Sequence, residues 1–329
     1  MLRWILPIMA AVGLLVAVGC SSESPAIVPT AEPANESAAQ VEPTTKIASA
    51  SQPEPAVVVP TVDYSDDAIK SHLATKLLEV GTQRVAFLLS TNKALVKAPQ
   101  SRIVVSHQQG TDPVAEITAD YNEWPYGVRG SYSTPIDFAE PGEYLLTVTP
   151  IGGDVEGDAH IPVTVLDDSP VPSVGDTPPS SATKTLGDGL ELVDVTTAYE
   201  PDASLYEVSV ADAVGSGKPS VIVFATPAFC TSPTCGPQVD IVAELRTAHP
   251  DAANYIHVEL YDNPAEIQGD LSRAELVPAA DEWGFTQIPE WTNESWVFVL
   301  DADGVIRQRF EGFATLGELE AALMAAAGS

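Results

Sequence analysis

Six consecutive residues, Ser220-Val221-Ile222-Val223-Phe224-Ala225, carry no charge and only one polar side chain. A run like this is a strand covered on both faces. Covering it requires helices on either side of a sheet, so the fold class predicted around it is α/β. The next residues agree. In "TPAFCTSPTCGPQ", Gly236 and Pro237 stand where a helix begins, and Val239, Val242 and Leu245, flanked by Ile241, give that helix an apolar face. "YIHVELY" (255–261) reads as a second strand, and "AELVPAADEWGF" as a broken, helix-leaning connection. "WVFVL" (296–300) and "VIRQRF" (305–310) flank Asp301-Ala302-Asp303-Gly304, a turn that makes an antiparallel hairpin. Thr315-Leu316-Gly317-Glu318 is a capping-box pattern before a last helix. The predicted order over residues 186–329 is β-α-β-α-β-β-α.

Upstream the pattern changes. Residues 167–185, "DDSPVPSVGDTPPSSATKT", are rich in Pro, Ser, Asp and Gly and read as a linker that hinges two domains. Before it, residues 61–166 open with a short helical lead, "SDDAIKSHLATKLLEV". Strand-like runs follow: "QRVAFLLS", "SRIVVSH", "VAEITAD", "VRGSYS", "GEYLLTVTP" and "HIPVTVL". Short strands separated by turn residues predict a small all-β sandwich. Tyr144, Leu146 and Val148 alternate most cleanly and should face one way. The segment resembles the Ig-like modules of exported bacterial proteins.

The first residues read as targeting. Arg3 precedes an apolar stretch, Ile5 to Val18, of signal-peptide length and too short for an ordinary membrane span. It ends in Ala17-Val18-Gly19-Cys20-Ser21, which resembles the lipobox of bacterial lipoproteins. The resemblance implies a signal peptide at 1–19 and acylation of Cys20, and so a protein anchored by lipid to the cell membrane on its extracytoplasmic side. The alternative is an ordinary signal peptide with an incidental cysteine. Residues 20–60, with no helical or strand period, are expected to form a disordered Pro/Ala/Ser/Glu tether. Their mean reach is roughly 40 Å. Lys and Arg total 15 against 46 Asp and Glu, a formal charge of −31. That balance excludes nucleic acid as a partner and docking on anionic lipid through basic patches; it reads as a solubilising surface.

With Cys20 assigned to lipid, Cys230 and Cys235 remain, in a compartment where disulfides persist. Five residues around a turn bring two Cα atoms within about 6 Å, the reach of a disulfide. Three readings stay open: a redox-active pair, a structural staple, or two ligands of a metal.

The strand order, the approach "VIVFATPAFC…CGP" and the hairpin "VFVLDADGVI" resemble the thioredoxin-like fold and its exported TlpA-like and Sco-like members. The whole pattern resembles that of bacterial thioredoxin-domain lipoproteins. The resemblance implies thiol-disulfide exchange on cell-envelope proteins, with Cys230 and Cys235 as the catalytic pair and no cofactor. By resemblance the attacking thiol maps to Cys230; by helix-dipole physics Cys235 has the more acidic thiol.

Three features depart from the family. The spacing is C-x4-C rather than C-x-x-C. No Lys or Arg falls between Lys218 and Arg246. The family's cis-proline should fall near Ser295, and Ile288-Pro289 lies earlier. Hence the alternative function: a non-catalytic binding or scaffold lipoprotein with a structural disulfide, its recognition carried by the Ig-like module. A Sco-like copper site is a further reading, since thiolates and imidazole suit copper. No histidine follows His257, which reads as a core residue, and no metal ligands are assigned. Trp283, Trp291 and Trp296 cluster near the expected site edge. Trp291, in a loop, and Ser295 are the candidates for docking a partner peptide, whereas Trp296 in its strand reads as core.

Overall fold

Among the described residues up to 166, the alternating runs form eight strands: β1 (Lys70–Leu73), β2 (Leu78–Glu79), β3 (Gly81–Ser90), β4 (Gln100–His107), β5 (Pro113–Glu123), β6 (Gly130–Phe138), β7 (Gly142–Ile151) and β8 (Ala159–Leu166). They join in the order β1-β3-β6-β5-β4-β7-β8-β2, a single curled sheet. Both of its ends meet β8: β2 pairs with it in parallel, and β1 packs against it. Tyr144, Leu146 and Val148 of β7 do face one way, into a core with Phe87, Ile103, Tyr132 and Val163. This computed structural model describes residues 68–328 except 111, 128, 293 and 294. The signal peptide, Cys20 and the tether expected over residues 1–60 lie outside the described residues.

The helical lead expected over residues 65–80 is not helical in its described part, from residue 68 on. Lys70–Leu73 pairs antiparallel with Leu88–Ser90 and Phe87 of β3 instead, and Leu77 and Leu78 are buried in two different cores. Strand pairing and the division of leucines between cores override helix propensity.

The second module is a mixed-sheet α/β domain compatible with a thioredoxin-like fold. Its helices are α1 (Leu192–Val195), α2 (Val210–Ala213), α3 (Cys235–Ala248), α4 (Pro264–Ile267), α5 (Pro278–Glu282) and α6 (Leu316–Ala327). Its strands are β9 (Ser220–Ala225), β10 (Asn254–Glu259), β11 (Trp296–Leu300) and β12 (Ile306–Glu311), in the order β10-β9-β11-β12. β10 runs parallel to β9; β11 is antiparallel to both β9 and β12. Every residue of β9 is buried, as its composition demands. Val221, Val223, Val297 and Val299 meet α3 and α6 on one face. Ile222, Phe224 and Phe298 meet Trp283 and Phe285 on the other.

The hinge expected between the modules is not met: the described residues of both modules fall in one compact unit. Arg84 of β3 forks onto Glu318 of α6, Nε to Oε1 at 2.7 Å and Nη2 to Oε2 at 3.1 Å, and Ser133 donates to the same carboxylate. Arg309 Nη2 meets Glu79 Oε1 at 3.0 Å, and Trp124 packs on Phe313. Residues 167–185 form a strap rather than a free linker. Val171 is fully buried, Gly175 and Asp176 exchange backbone bonds with Ile306, and Ser181 bonds Glu282 and the Trp283 indole. Gly284 lets the strap pass: a Cβ there would lie 1.9 Å from Pro170 O. The strap's Pro and Ser content signals irregular backbone, but irregular backbone packs when its polar groups find partners.

Candidate functional site

β9 delivers the chain to Thr226, a turn follows, and α3 begins at Cys235. β9 and α3 are both packed into the core, so both ends of the loop 226–234 are anchored. Cys230 and Cys235 are bonded across it, Cα to Cα 6.0 Å. Cys235 is wholly buried at the first position of a fourteen-residue helix, where the helix dipole favours a thiolate. Cys230 is partly exposed. Of the pair, Cys230 is the more exposed residue, and Cys235 lies behind it in the core.

Hydroxyls pack under the pair. Thr234 Oγ1 lies 3.9 Å from Cys230 Sγ, 2.8 Å from Ser232 Oγ and 3.4 Å from Ser295 Oγ. Ser295 immediately precedes β11 and is fully buried, its hydroxyl donating to Gly312 O while its carbonyl accepts Gly312 N–H. Of the two docking candidates, then, Ser295 lies against the cysteine loop from inside. Trp291 is half-buried and stacks on Phe285, with ring planes 9° apart. Trp283 and Trp296 are core, fully and almost fully buried.

On the other side the loop rests on a buried acid. Glu259 Oε2, at the end of β10, accepts from Thr197 N (2.8 Å) and Thr197 Oγ1 (2.7 Å), and Thr197 Oγ1 accepts Ala228 N–H of the cysteine loop. Burial pushes the Glu259 carboxyl above its ordinary range. Sequence reasoning missed this support; the signal was a glutamate inside the otherwise apolar strand "YIHVELY". Gln238, one turn into α3, is also buried and holds Ala314 N–H at 2.6 Å.

His257 is a core residue. Its Nδ1 takes the Tyr206 hydroxyl at 2.7 Å, its Nε2 faces Ala225 O at 3.2 Å, and burial lowers its pKa to about 4. Both nitrogens are engaged, so it offers no lone pair to a metal. His249 caps the end of α3 and bonds Glu320. Among the described residues no group of three His, Cys, Asp or Glu side chains is placed to hold a metal ion.

No family model matches the chain, and no curated protein does. Among solved structures, one that is similar is a thiol:disulfide interchange protein of the thioredoxin family from Chlorobium tepidum TLS. It is 14% identical, over 41% of this chain and 97% of its own, with a TM-score of 0.29. A likeness of that score carries no argument about this chain.

Proposed function

We propose that this protein is a membrane-anchored, extracytoplasmic thiol-disulfide exchanger acting on cell-envelope proteins through Cys230 and Cys235. The observation that carries the reading is the asymmetry of the pair: one sulfur partly exposed, the other buried at a helix N-terminus. In the reducing direction the Cys230 thiolate attacks a substrate disulfide, forming a mixed disulfide and releasing one substrate thiolate. Cys235 then attacks Cys230 Sγ, releasing the second thiol and closing the Cys230–Cys235 bond. Two electrons pass to the substrate. The oxidising direction is the reverse. The Trp291 loop is the surface on which a partner peptide would dock.

The reading includes acylation of Cys20 and an Ig-like first module. For the module, support comes from the parallel β2–β8 pair at the sheet end and from Tyr144, whose hydroxyl donates to Glu140 O at 2.8 Å, four residues upstream, as in the tyrosine corner of such sandwiches.

A structural disulfide in a scaffold lipoprotein is the second reading. What favours it is the packing of the loop, held from inside by Thr234 and Ser295 and from below by Thr197. Reaction with glutathione disulfide separates the two. With Cys235→Ser, the exchange reading expects a glutathione mixed disulfide on Cys230, formed well above the rate of the urea-unfolded chain. Reaction no faster than the unfolded chain supports the scaffold.

A further inference from the structure

A cleft of about 290 Å³ opens on the seam, between Lys76–Leu78 and β8 on one side and the loop 288–292 on the other. Neither cysteine lines it. Leu77, Leu166, Ile288 and Trp291 make its walls apolar, yet Glu311, nine-tenths buried, is among its lining residues. One carboxylate oxygen, Oε2, accepts Lys76 N–H and Leu77 N–H, each at 2.8 Å. The other, Oε1, takes no hydrogen bond among the described residues.

The charges around it do not balance. Arg309, two residues earlier on β12, is bridged to Glu79 and also acts on Glu311 and Asp176. Lys76 turns its Nζ to Thr292 Oγ1. Three carboxylates, Glu79, Asp176 and Glu311, thus share two cations. Burial raises the Glu311 carboxyl to about 7, against the pull of two backbone N–H groups and the charges of Arg309 and Lys76. Glu290, at φ +52°, brings a further carboxylate to the lining from a backbone conformation that a side chain other than glycine rarely adopts. Carboxylates outnumber cations around the cleft, Glu311 Oε1 has no hydrogen-bond donor among the described residues, and the walls suit an aliphatic stem.

We propose that this cleft takes the lysine or arginine side chain of an extended polypeptide. Its cation pairs with Glu311 Oε1 and its methylenes lie between Leu166, Ile288 and Trp291. A polypeptide fits better than a free amine because Thr292, which lines the cleft, and Ser295, which touches the cysteine loop, are three residues apart in sequence and so at most roughly 11 Å apart. On the exchange reading, a chain whose cysteine meets Cys230 extends towards this cleft. In that one respect the proposal rests on the exchange reading; the binding itself does not need the disulfide.

The test uses acetyl-Leu-Arg-Leu-amide and the same peptide with neutral citrulline in place of arginine. Each is titrated into the full chain while the Trp291 indole N–H resonance is followed, assigned through Trp291→Phe. The arginine peptide should shift that resonance and bind about tenfold or more tightly than the citrulline peptide. Glu311→Gln, which keeps an acceptor for the Lys76 and Leu77 N–H groups, should remove that preference. Thr164→Trp, at the exposed rim on β8, should block binding without touching Glu311. Equal binding of the two peptides, an undiminished preference in Glu311→Gln, or no binding at millimolar peptide overturns the proposal. The Cys230→Ser, Cys235→Ser double variant should bind as the parent does. Failure of exchange chemistry with arginine-selective binding intact would therefore condemn only the exchange reading.

Discussion

His257 sets a pH dependence that can be worked out from its surroundings. The imidazole is enclosed between β9 and Tyr206. In the neutral tautomer Nδ1 accepts the Tyr206 hydroxyl and Nε2–H donates to Ala225 O. Protonation would place a second N–H against the Tyr206 oxygen and a charge in a site without solvent. Burial therefore lowers the folded-state pKa to about 4, from 6.5 for the free side chain. Between those values the unfolded chain binds a proton that the folded chain refuses. Stability is full above about pH 6.5, falls as pH drops through the window, and levels below about pH 4. Each unit is about 1.4 kcal/mol, so the loss comes to about 3 kcal/mol. His257→Gln keeps an acceptor and a donor but does not titrate. Urea unfolding of both proteins from pH 7 to pH 4 should give a difference that changes by about 3 kcal/mol in favour of the variant. An imidazole that titrates near its free value by NMR, or parallel pH profiles, would refute the reasoning.

Three further outcomes follow from the geometry. Arg84→Met leaves the partly buried Glu318 without its guanidinium partner and should cost about 2 kcal/mol, less than a fully buried pair because its side chain is partly exposed and Thr315 and Ser133 still donate to the carboxylate. A loss under about 1 kcal/mol in urea unfolding would class the pair as a surface contact. Reducing the Cys230–Cys235 bond, which joins residues five apart, should lower stability by about 2 kcal/mol by releasing a short loop; an unchanged unfolding midpoint would contradict this. In the reduced native protein, iodoacetamide should modify Cys230 well before Cys235, read by peptide mass analysis. Equal labelling would mean that the start of α3 opens.

Much of the architecture was written in short-range patterns. The unbroken apolar β9, the alternation of Tyr144, Leu146 and Val148, the Asp301–Gly304 turn and the Thr315–Glu318 capping box each specify their element from neighbouring residues, and each element is present. What could not be read depends on partners far along the chain. Lys70–Leu73 becomes a strand because β3 offers it an edge. Residues 167–185 become a strap because Ile306, Arg309 and Trp283 supply what their backbone and hydroxyls need. At the site, the cysteines and Trp291 stood out by residue type. Thr197, Thr234 and Glu259 did not, since a threonine's value there lies in what folds against it. Glu311 was hidden for the same reason: it ends a strand as an ordinary acid, and only the first module buries it.

The central claim is that Cys230 and Cys235 exchange electrons with other proteins. Its most direct test is the reduction potential of that pair, measured by trapping free thiols across a series of glutathione or dithiothreitol buffers. Exchange requires a value between roughly −270 and −120 mV, the range of working exchangers. A value below about −300 mV would make the bond a structural staple and contradict it.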